Sequence, residues 1–252
     1  MPPFLSIIMP AHNEAGRLPP SLVKIAEFLQ QQSYQAEVIV VENGSHDGTF
    51  EIADNLRDTY PWLRVMQVDT RGKGLAVKAG MLAADGDYRF ICDVDLSMPI
   101  DEITKFLPPQ LPNYDVMIGS REGEGAQRIG EPEYRHIMGR ILTMIVKLTA
   151  VRGFEDTQCG FKMFSREAAE DLFAVQQMHG IGFDVELIFI AKRRGYQIVD
   201  VPITWYYDDD SRMRLVQDSL HILAEIWQIR RNWRRGLYER QSPDPKKEKS
   251  TP

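Results

Sequence analysis

Cysteine is almost absent from this chain, with only Cys92 and Cys159 among 252 residues. Two are too few for a disulfide framework, and both read as small buried hydrophobes rather than staples or nucleophiles. An excess of positive charge is missing as well, since 30 Lys and Arg face 36 Asp and Glu for a net charge of −6. That excludes broad nucleic-acid binding, which draws on a basic surface. No apolar run approaches the roughly 20 residues that a membrane-spanning helix needs. The longest, Ile141–Val151, is interrupted by Lys147. No basic segment followed by an apolar one opens the chain, so no secretory signal is predicted. His12, His46, His136, His179 and His221 fall at no metal-ligand spacing. These absences predict a reduced, cytoplasmic protein, soluble or attached peripherally to the cytoplasmic face of a membrane.

What is present is an ordinary globular composition, 43% hydrophobic and 26% charged, arranged in a clear rhythm. Through residue 120, short apolar runs alternate with helical patterns, as in βαβ units and a mainly parallel sheet flanked by helices. Strands are predicted at Phe4–Met9, Glu37–Val41, Arg64–Val68, Tyr88–Cys92 and Asp115–Ile118. Helices are predicted at Leu18–Gln31, Thr49–Tyr60, Gly74–Ala84 and Ile100–Leu107. A Gly- and charge-rich loop, Arg121–Glu133, then leads to an apolar helix near Ile137–Ala150. A strand at Gln158–Phe164, helices at Glu167–Phe173 and Val185–Arg194, and a strand at Ile198–Tyr206 follow. Residues 1–235 read as one catalytic domain, and residues 236–252 as a polar, disordered tail.

Ligands of open α/β sheets bind beyond the carboxyl ends of the strands, so the polar clusters there carry the chemistry. Asp93 and Asp95 lie two apart after an apolar strand, a spacing that turns both carboxylates the same way in extended chain. Together they can serve one divalent cation, although paired acids are also common turn formers. Pro10-Ala11-His12-Asn13-Glu14 follows the first strand, and Glu42-Asn43-Gly44-Ser45-His46-Asp47-Gly48-Thr49 the second. Arg71-Gly72-Lys73-Gly74 places positive charge at a helix start, where phosphate is favoured. No Gly-x-Gly-x-x-Gly follows the first strand, which removes support for a nicotinamide site.

In this order, together with Gly119-Ser120-Arg121, Asp156–Lys162 and Phe183–Leu187, the motifs resemble the family 2 glycosyltransferases of GT-A fold. Within that family they resemble the dolichyl-phosphate β-glucosyltransferases and related polyprenyl-phosphate sugar transferases. The resemblance implies a GT-A Rossmann-like catalytic domain, with a nucleotide-sugar half over about residues 1–120 and an acceptor half over 121–235. It implies inversion at the anomeric carbon and a Mg²⁺ or Mn²⁺ ion at Asp95 and Asp93. Pro10, Ala11, Asn13, Glu14, Glu42 and Gly44 would line the base and ribose pocket, with Asp47 supporting the loop. Relatives often carry Asp-Asp-Gly-Ser where this chain has Glu42-Asn43-Gly44-Ser45, which leaves the base open. Lys73, Asp93, Val94, Gln158 and Arg212 would approach the donor. Arg121, Arg128 and Arg135 would hold an acceptor phosphate, because guanidinium forks match phosphate oxygens. A solvated face is the alternative for the last two. Asp184 is the reserve base, or a helix-capping carboxylate.

The reaction so implied moves a hexose, glucose from UDP-glucose first, onto a polyprenyl phosphate. GDP-mannose as donor, a glycan or small-molecule hydroxyl as acceptor, and a sugar-nucleotide-binding regulatory module without turnover are the competing readings. From Leu215 to Arg235 apolar stripes run beside Arg230, Arg231, Arg234 and Arg235, a mixture that suits a membrane interface. Packing on the domain or within a homo-oligomer is the alternative for that amphipathic helix.

Overall fold

The computed structural model describes residues 2–134, 136–140, 144, 156, 159–208 and 215–240, the side chains of 215–220 and 222 excepted. Among these residues seven strands form one sheet in the order β3-β2-β1-β4-β7-β5-β8. They are β1 Leu5–Ala11, β2 Ala36–Glu42, β3 Leu63–Gln67, β4 Tyr88–Ile91, β5 Val116–Ser120, β7 Lys162–Ser165 and β8 Ile198–Pro202. All pairings are parallel except those of β7, which runs antiparallel between β4 and β5. The helices are α1 Leu18–Gln30, α2 Thr49–Leu56, α3 Lys73–Ala83, α4 Arg166–Val175, α5 Phe183–Arg194 and α6 Leu215–Arg234.

The apolar runs form strands because both sheet faces are covered, and their alternate residues enter opposite cores. Ile8, Ile39 and Val41 face a core completed by α3, α4, α5 and the inner side of α6. Ile7, Met9, Val38 and Val40 face the other, closed by α1 and a 3₁₀ turn at Ile100–Phe106. Helix α3 lies so close to the sheet that a Cβ on Gly80 would stand 2.6 Å from Ile8 Cγ2.

Several boundaries differ from the expectations. Helix α2 stops at Leu56 rather than Tyr60, because Pro61 disfavours helical backbone just before it. Ile100–Phe106 winds as 3₁₀ instead of α-helix, confined between Pro99 and Pro108. The expected strand Ile198–Tyr206 divides, and β9 Thr204–Tyr206 leaves the main sheet to pair with β6 Gln127–Ile129 from the presumed loop. Most of the helix expected at Ile137–Ala150, the start of the strand expected at Gln158, and the tail beyond residue 240 lie outside the described residues.

At the amino ends of the strands a buried carboxylate ties four segments. Glu37 accepts from Ser6 Oγ at 2.6 Å, from the Asp85 amide at 2.7 Å and from Arg64 Nη1 at 2.6 Å. Ser6 Oγ in turn accepts from the Gly86 amide at 2.8 Å. Burial alone would raise the Glu37 pKa, but these donors favour the anion and hold it below the ordinary carboxylate value. A lowered folded pKa means stability that is present above the unfolded value near 4.3 and lost as pH falls through the folded one. Glu37→Gln, which turns an amide donor toward other donors, is expected to lower stability at pH 7 by about 1.5–3 kcal/mol. Urea unfolding should show the gap from the parent protein closing below about pH 4. A gap that stays constant with pH would mean the carboxylate charge plays no part.

Candidate active site

The carboxyl ends of β2, β1 and β4 lie side by side, with Ala11 opposite Glu42 and Ile8 opposite Ile91. The two loops that leave β1 and β2 are therefore forced together, and their polar groups bond across the gap. His12 Nδ1 lies 2.9 Å from the Asn43 carbonyl, Ser45 Oγ accepts from the Asn13 amide at 2.9 Å, and Asn13 Oδ1 accepts from the His46 amide at 2.9 Å. The Glu14 amide donates to Thr49 Oγ1 at 2.8 Å, and the Ala15 amide to Asp47 Oδ2 at 3.0 Å. Asp47 also takes the Thr49 hydroxyl at 2.5 Å. Asn13 sits at φ 55°, a left-handed conformation that asparagine tolerates.

Pro10, Ala11, Asn13, Glu14, Glu42, Gly44 and Asp47 are thus gathered at one place. Their side chains differ in what they leave open. Glu42 is buried and braces its own loop, accepting from the Ser45 amide and from Gln67 Nε2, the latter at 3.0 Å. Gly44, at φ +73°, passes 3.6 Å from the Arg71 amide nitrogen, measured from where a Cβ would stand. Glu14 pairs with Arg17 at 2.7 Å, and Arg17 reaches Asp208 at 3.1 Å. Burial would lower the Arg17 pKa, but Glu14, with Asp95 and Asp208 adding their fields, raises it. Arg17 was not singled out from the sequence, although its position three residues after Glu14 on an entering helix was the available signal.

Beyond β4 the chain is held from both sides. Ser21 Oγ of α1 donates to the Val94 carbonyl at 2.6 Å, and the Val94 side chain is buried. Leu96 adopts φ 48°, which costs a branched residue roughly 1–2 kcal/mol and turns the chain sharply after Asp95. Asp95 remains exposed and accepts from the Ser97 amide at 2.9 Å. Crowding by protein, then the neighbouring Asp93 charge, raises its pKa. Asp93 accepts from Lys73 Nζ at 2.6 Å, at the start of α3. Burial would lower Lys73, yet Asp93, Asp184 and Asp95 raise it, so the ammonium stays charged.

A second lysine supports this arrangement from beneath. Lys162, fully buried, donates to Asp184 at 2.7 Å and to the Cys159 carbonyl at 2.5 Å. That carbonyl opens the Gly160 peptide, and a Cβ on Gly160 would lie 2.1 Å from Asp93 Oδ2. The Asp93 carboxylate therefore occupies the place of a side chain at 160. Burial raises the Asp184 pKa, against the pull of Lys162 and Lys73. Asp184 is committed to Lys162, which makes it part of the support. Glu186, two residues on, accepts from the Gln177 and Met178 amides at 2.9 Å each and from Tyr238 at 2.6 Å. It fixes the segment whose carbonyls contact Gly72 and Gly74 at the head of α3. Gly160, Lys162 and Glu186 stood inside quoted motifs, but only their three-dimensional neighbours give them roles.

On the other flank Arg121 forms a bidentate pair with buried Asp156, at 2.6 and 3.0 Å. Burial would raise Asp156, but Arg121 holds it down to about 2. Arg128 pairs with Glu131 at 2.5 Å and Glu122 at 3.0 Å. Both guanidinium groups stack on Trp205 of β9, at 5.3 and 5.8 Å from the ring centroid. The next residue, Tyr206, donates its amide to the Ser97 carbonyl at 2.7 Å, which joins this unit to the loop bearing Asp95. Arg135, Gln158 and Arg212 lie outside the described residues. Cys92 and Cys159 are buried, and burial raises both thiols, Cys159 to about 11, so neither is a nucleophile at neutral pH.

The donor set suits a hard divalent cation. Asp93 and Asp95 would supply carboxylate oxygens to such an ion, and among the described residues no group of three or more His, Cys, Asp or Glu gathers. Mg²⁺ and Mn²⁺ match such a half-built site, because they take one or two carboxylates and complete their shell with water and substrate phosphate.

The sequence pattern described as Glycosyl transferase family 2 matches residues 6–173. The dolichyl-phosphate beta-glucosyltransferase ALG5C of Trichomonas vaginalis is 32% identical over 250 residues, 90% of this chain and 74% of that protein. The dolichyl-phosphate beta-glucosyltransferase of Drosophila melanogaster is 33% identical over 240 residues, 89% of this chain and 74% of its own length. Among solved structures, glucosyl-3-phosphoglycerate synthase from Mycobacterium tuberculosis, in complex with Mn²⁺, uridine-diphosphate-glucose and phosphoglyceric acid, superposes with a TM-score of 0.63. That match covers 90% of this chain and 79% of that one at 18% identity, a likeness of fold, with its mostly parallel GT-A sheet. By its sequence pattern, its fold and the residues gathered at its strand ends, the chain belongs to glycosyl transferase family 2 and is a glycosyltransferase.

Proposed function

We propose that this chain transfers glucose from UDP-glucose to the phosphate of dolichyl phosphate or a related polyprenyl phosphate, with inversion. The observation that carries the reading is the 30–33% identity to dolichyl-phosphate β-glucosyltransferases across 89–93% of the chain. In the reaction a phosphate oxygen of the acceptor forms a bond to the anomeric carbon. The bond from that carbon to the β-phosphate oxygen breaks, and UDP leaves with the electron pair.

The leaving group gains negative charge, so catalysis consists mainly in offsetting it. Lys73 stays cationic beside Asp93, at the amino end of α3, where the helix dipole also favours phosphate. Asp95 and Asp93 would hold the Mg²⁺ or Mn²⁺ that supplies Lewis-acid stabilisation of the diphosphate. The interlocked loops at residues 10–17 and 42–49 would receive the nucleoside. An acceptor phosphate monoester is largely ionised near neutrality, its second pKa lying at about 6, so no general base is required. This agrees with Asp184 being occupied by Lys162. Arg121 and Arg128, stacked on Trp205, are the cations on the acceptor flank. They would meet the phosphate by exchanging part of their carboxylate pairing.

Labelled UDP-glucose, Mn²⁺ and polyprenyl phosphate should give an organic-soluble, mild-acid-labile product. Transfer only to water-soluble acceptors, or a faster reaction with GDP-mannose, would overturn the acceptor or the donor respectively. Asp95→Ala is expected to lower kcat by about 10²–10³ while UDP binding is largely retained, because the lost interaction acts on developing charge. Unchanged turnover at saturating metal would remove the carboxylate from the mechanism. Gly160→Ala should cut activity at least about tenfold by displacing Asp93, since protein interiors yield little to an added methyl. Gly139→Ala, where a Cβ meets nothing within 4 Å, serves as its control. Equal activity of the two variants would show that the Asp93 position is immaterial.

A further inference from the structure

Helix α6 has two faces of different character. Ile226 and Ile229 are buried in the core and Leu223 and Trp233 pack against it. Glu225 turns inward as well, and a Cβ on Gly182 would stand 2.4 Å from its carboxylate. This is the packed reading of the helix, and it accounts for one side only. On the other side Trp227 is 64% exposed, with Arg231 stacked on its ring at 5.0 Å. Arg230, Arg234 and Arg235 are exposed around it. Arg193, exposed at the end of α5, stacks on Phe189 at 4.6 Å and Trp233 at 4.8 Å and continues the same surface. Leu237 is exposed just beyond the helix end. None of these five arginines has a carboxylate partner among the described residues. Elsewhere the chain pairs its arginines freely, as at Arg17, Arg64, Arg121, Arg128 and Arg194.

Five uncompensated guanidinium groups on a chain of net charge −6 amount to a strong local reversal of sign. Such a surface attracts an extended anionic partner rather than a single ion. An exposed indole among arginines has the amphipathic form that settles at the headgroup level of a bilayer. Among the described residues no helix is long and apolar enough to cross a membrane, so attachment through those residues would have to be peripheral.

We propose that the outer face of α6, with the adjoining end of α5, docks the protein onto an anionic phospholipid surface. The choice of a bilayer over an acidic protein rests on the reading that the acceptor is a lipid phosphate. Trp227 would enter the interface, and Arg193, Arg230, Arg231, Arg234 and Arg235 would meet the headgroup phosphates.

Flotation with vesicles, without donor or acceptor, tests the surface independently of the transferase reading. The full chain should float with phosphatidylcholine vesicles containing about a third phosphatidylserine, and release as salt rises and the Debye length shrinks from about 10 Å to about 3 Å. It should float weakly or not at all with phosphatidylcholine alone. R230E/R231E/R234E together should weaken flotation at least about tenfold, and Trp227→Ala should weaken it by a smaller factor. Transfer to a short-chain, water-soluble polyprenyl phosphate should be unchanged in both variants, which also shows that they fold. Failure of the parent chain to float with anionic vesicles, equal flotation with neutral ones, or undiminished flotation of the triple variant would each overturn the proposal. Loss of transfer with flotation intact would instead count against the transferase reading alone.

Discussion

The site depends on two lysines, each paired with a carboxylate, at a sheet end crowded with acids. Lys73 meets Asp93 at 2.6 Å and Lys162 meets Asp184 at 2.7 Å, and Asp184 lies close enough to raise Lys73 as well. Burying any one of these charges alone would be expensive, and removing one partner would leave the other uncompensated. Their alternation makes the group tolerable and fixes its shape, because each ion is held by an opposite charge from a different element: α3, the β4 loop, β7 and α5. One consequence is that Asp93 needs a glycine at 160, since Lys162 draws the Cys159 carbonyl inward and brings the following peptide against the carboxylate. Asp95, two residues beyond Asp93, keeps its carboxylate exposed to solvent.

Around this centre, rigidity is supplied by loops that satisfy one another. The β1 and β2 loops exchange bonds through Asn13, Ser45, Asp47 and Thr49, which hold the two loops against each other. Glu186 does the same for residues 177–178, which lie against the head of α3. Preformed polar loops cost little to organise when a nucleotide arrives, which is the physical advantage of placing a site on braced strand ends. At the opposite end of the same strands, Glu37 binds β1, β2, β3 and the β4 approach. One end of the sheet thus carries stability and the other chemistry.

The flank bearing Trp205 shows where a sequence of plausible phosphate ligands acquires a second meaning. Arg121 and Arg128 were expected as cations for an acceptor. In the structure each already has a carboxylate and a shared indole. A guanidinium in such a setting is preoriented, and its planar faces and remaining N–H groups determine what it can still offer. The splitting of the expected long strand into β8 and β9 is what carries Trp205 there.

The sequence by itself determined the alternation of strands and helices, the parallel sheet and the strand-end motifs at 10–14, 42–49, 71–74 and 93–95. These follow from local periodicity and turn chemistry, which are written within a few consecutive residues. The tertiary structure alone decided that β7 runs antiparallel between β4 and β5, that Gly160 must make room for Asp93, and that Asp184 pairs with Lys162. It also decided which face of α6 packs and which stays open. Those outcomes depend on residues far apart in the chain meeting at close range, where steric exclusion and charge compensation act, and no window of neighbouring residues contains that information.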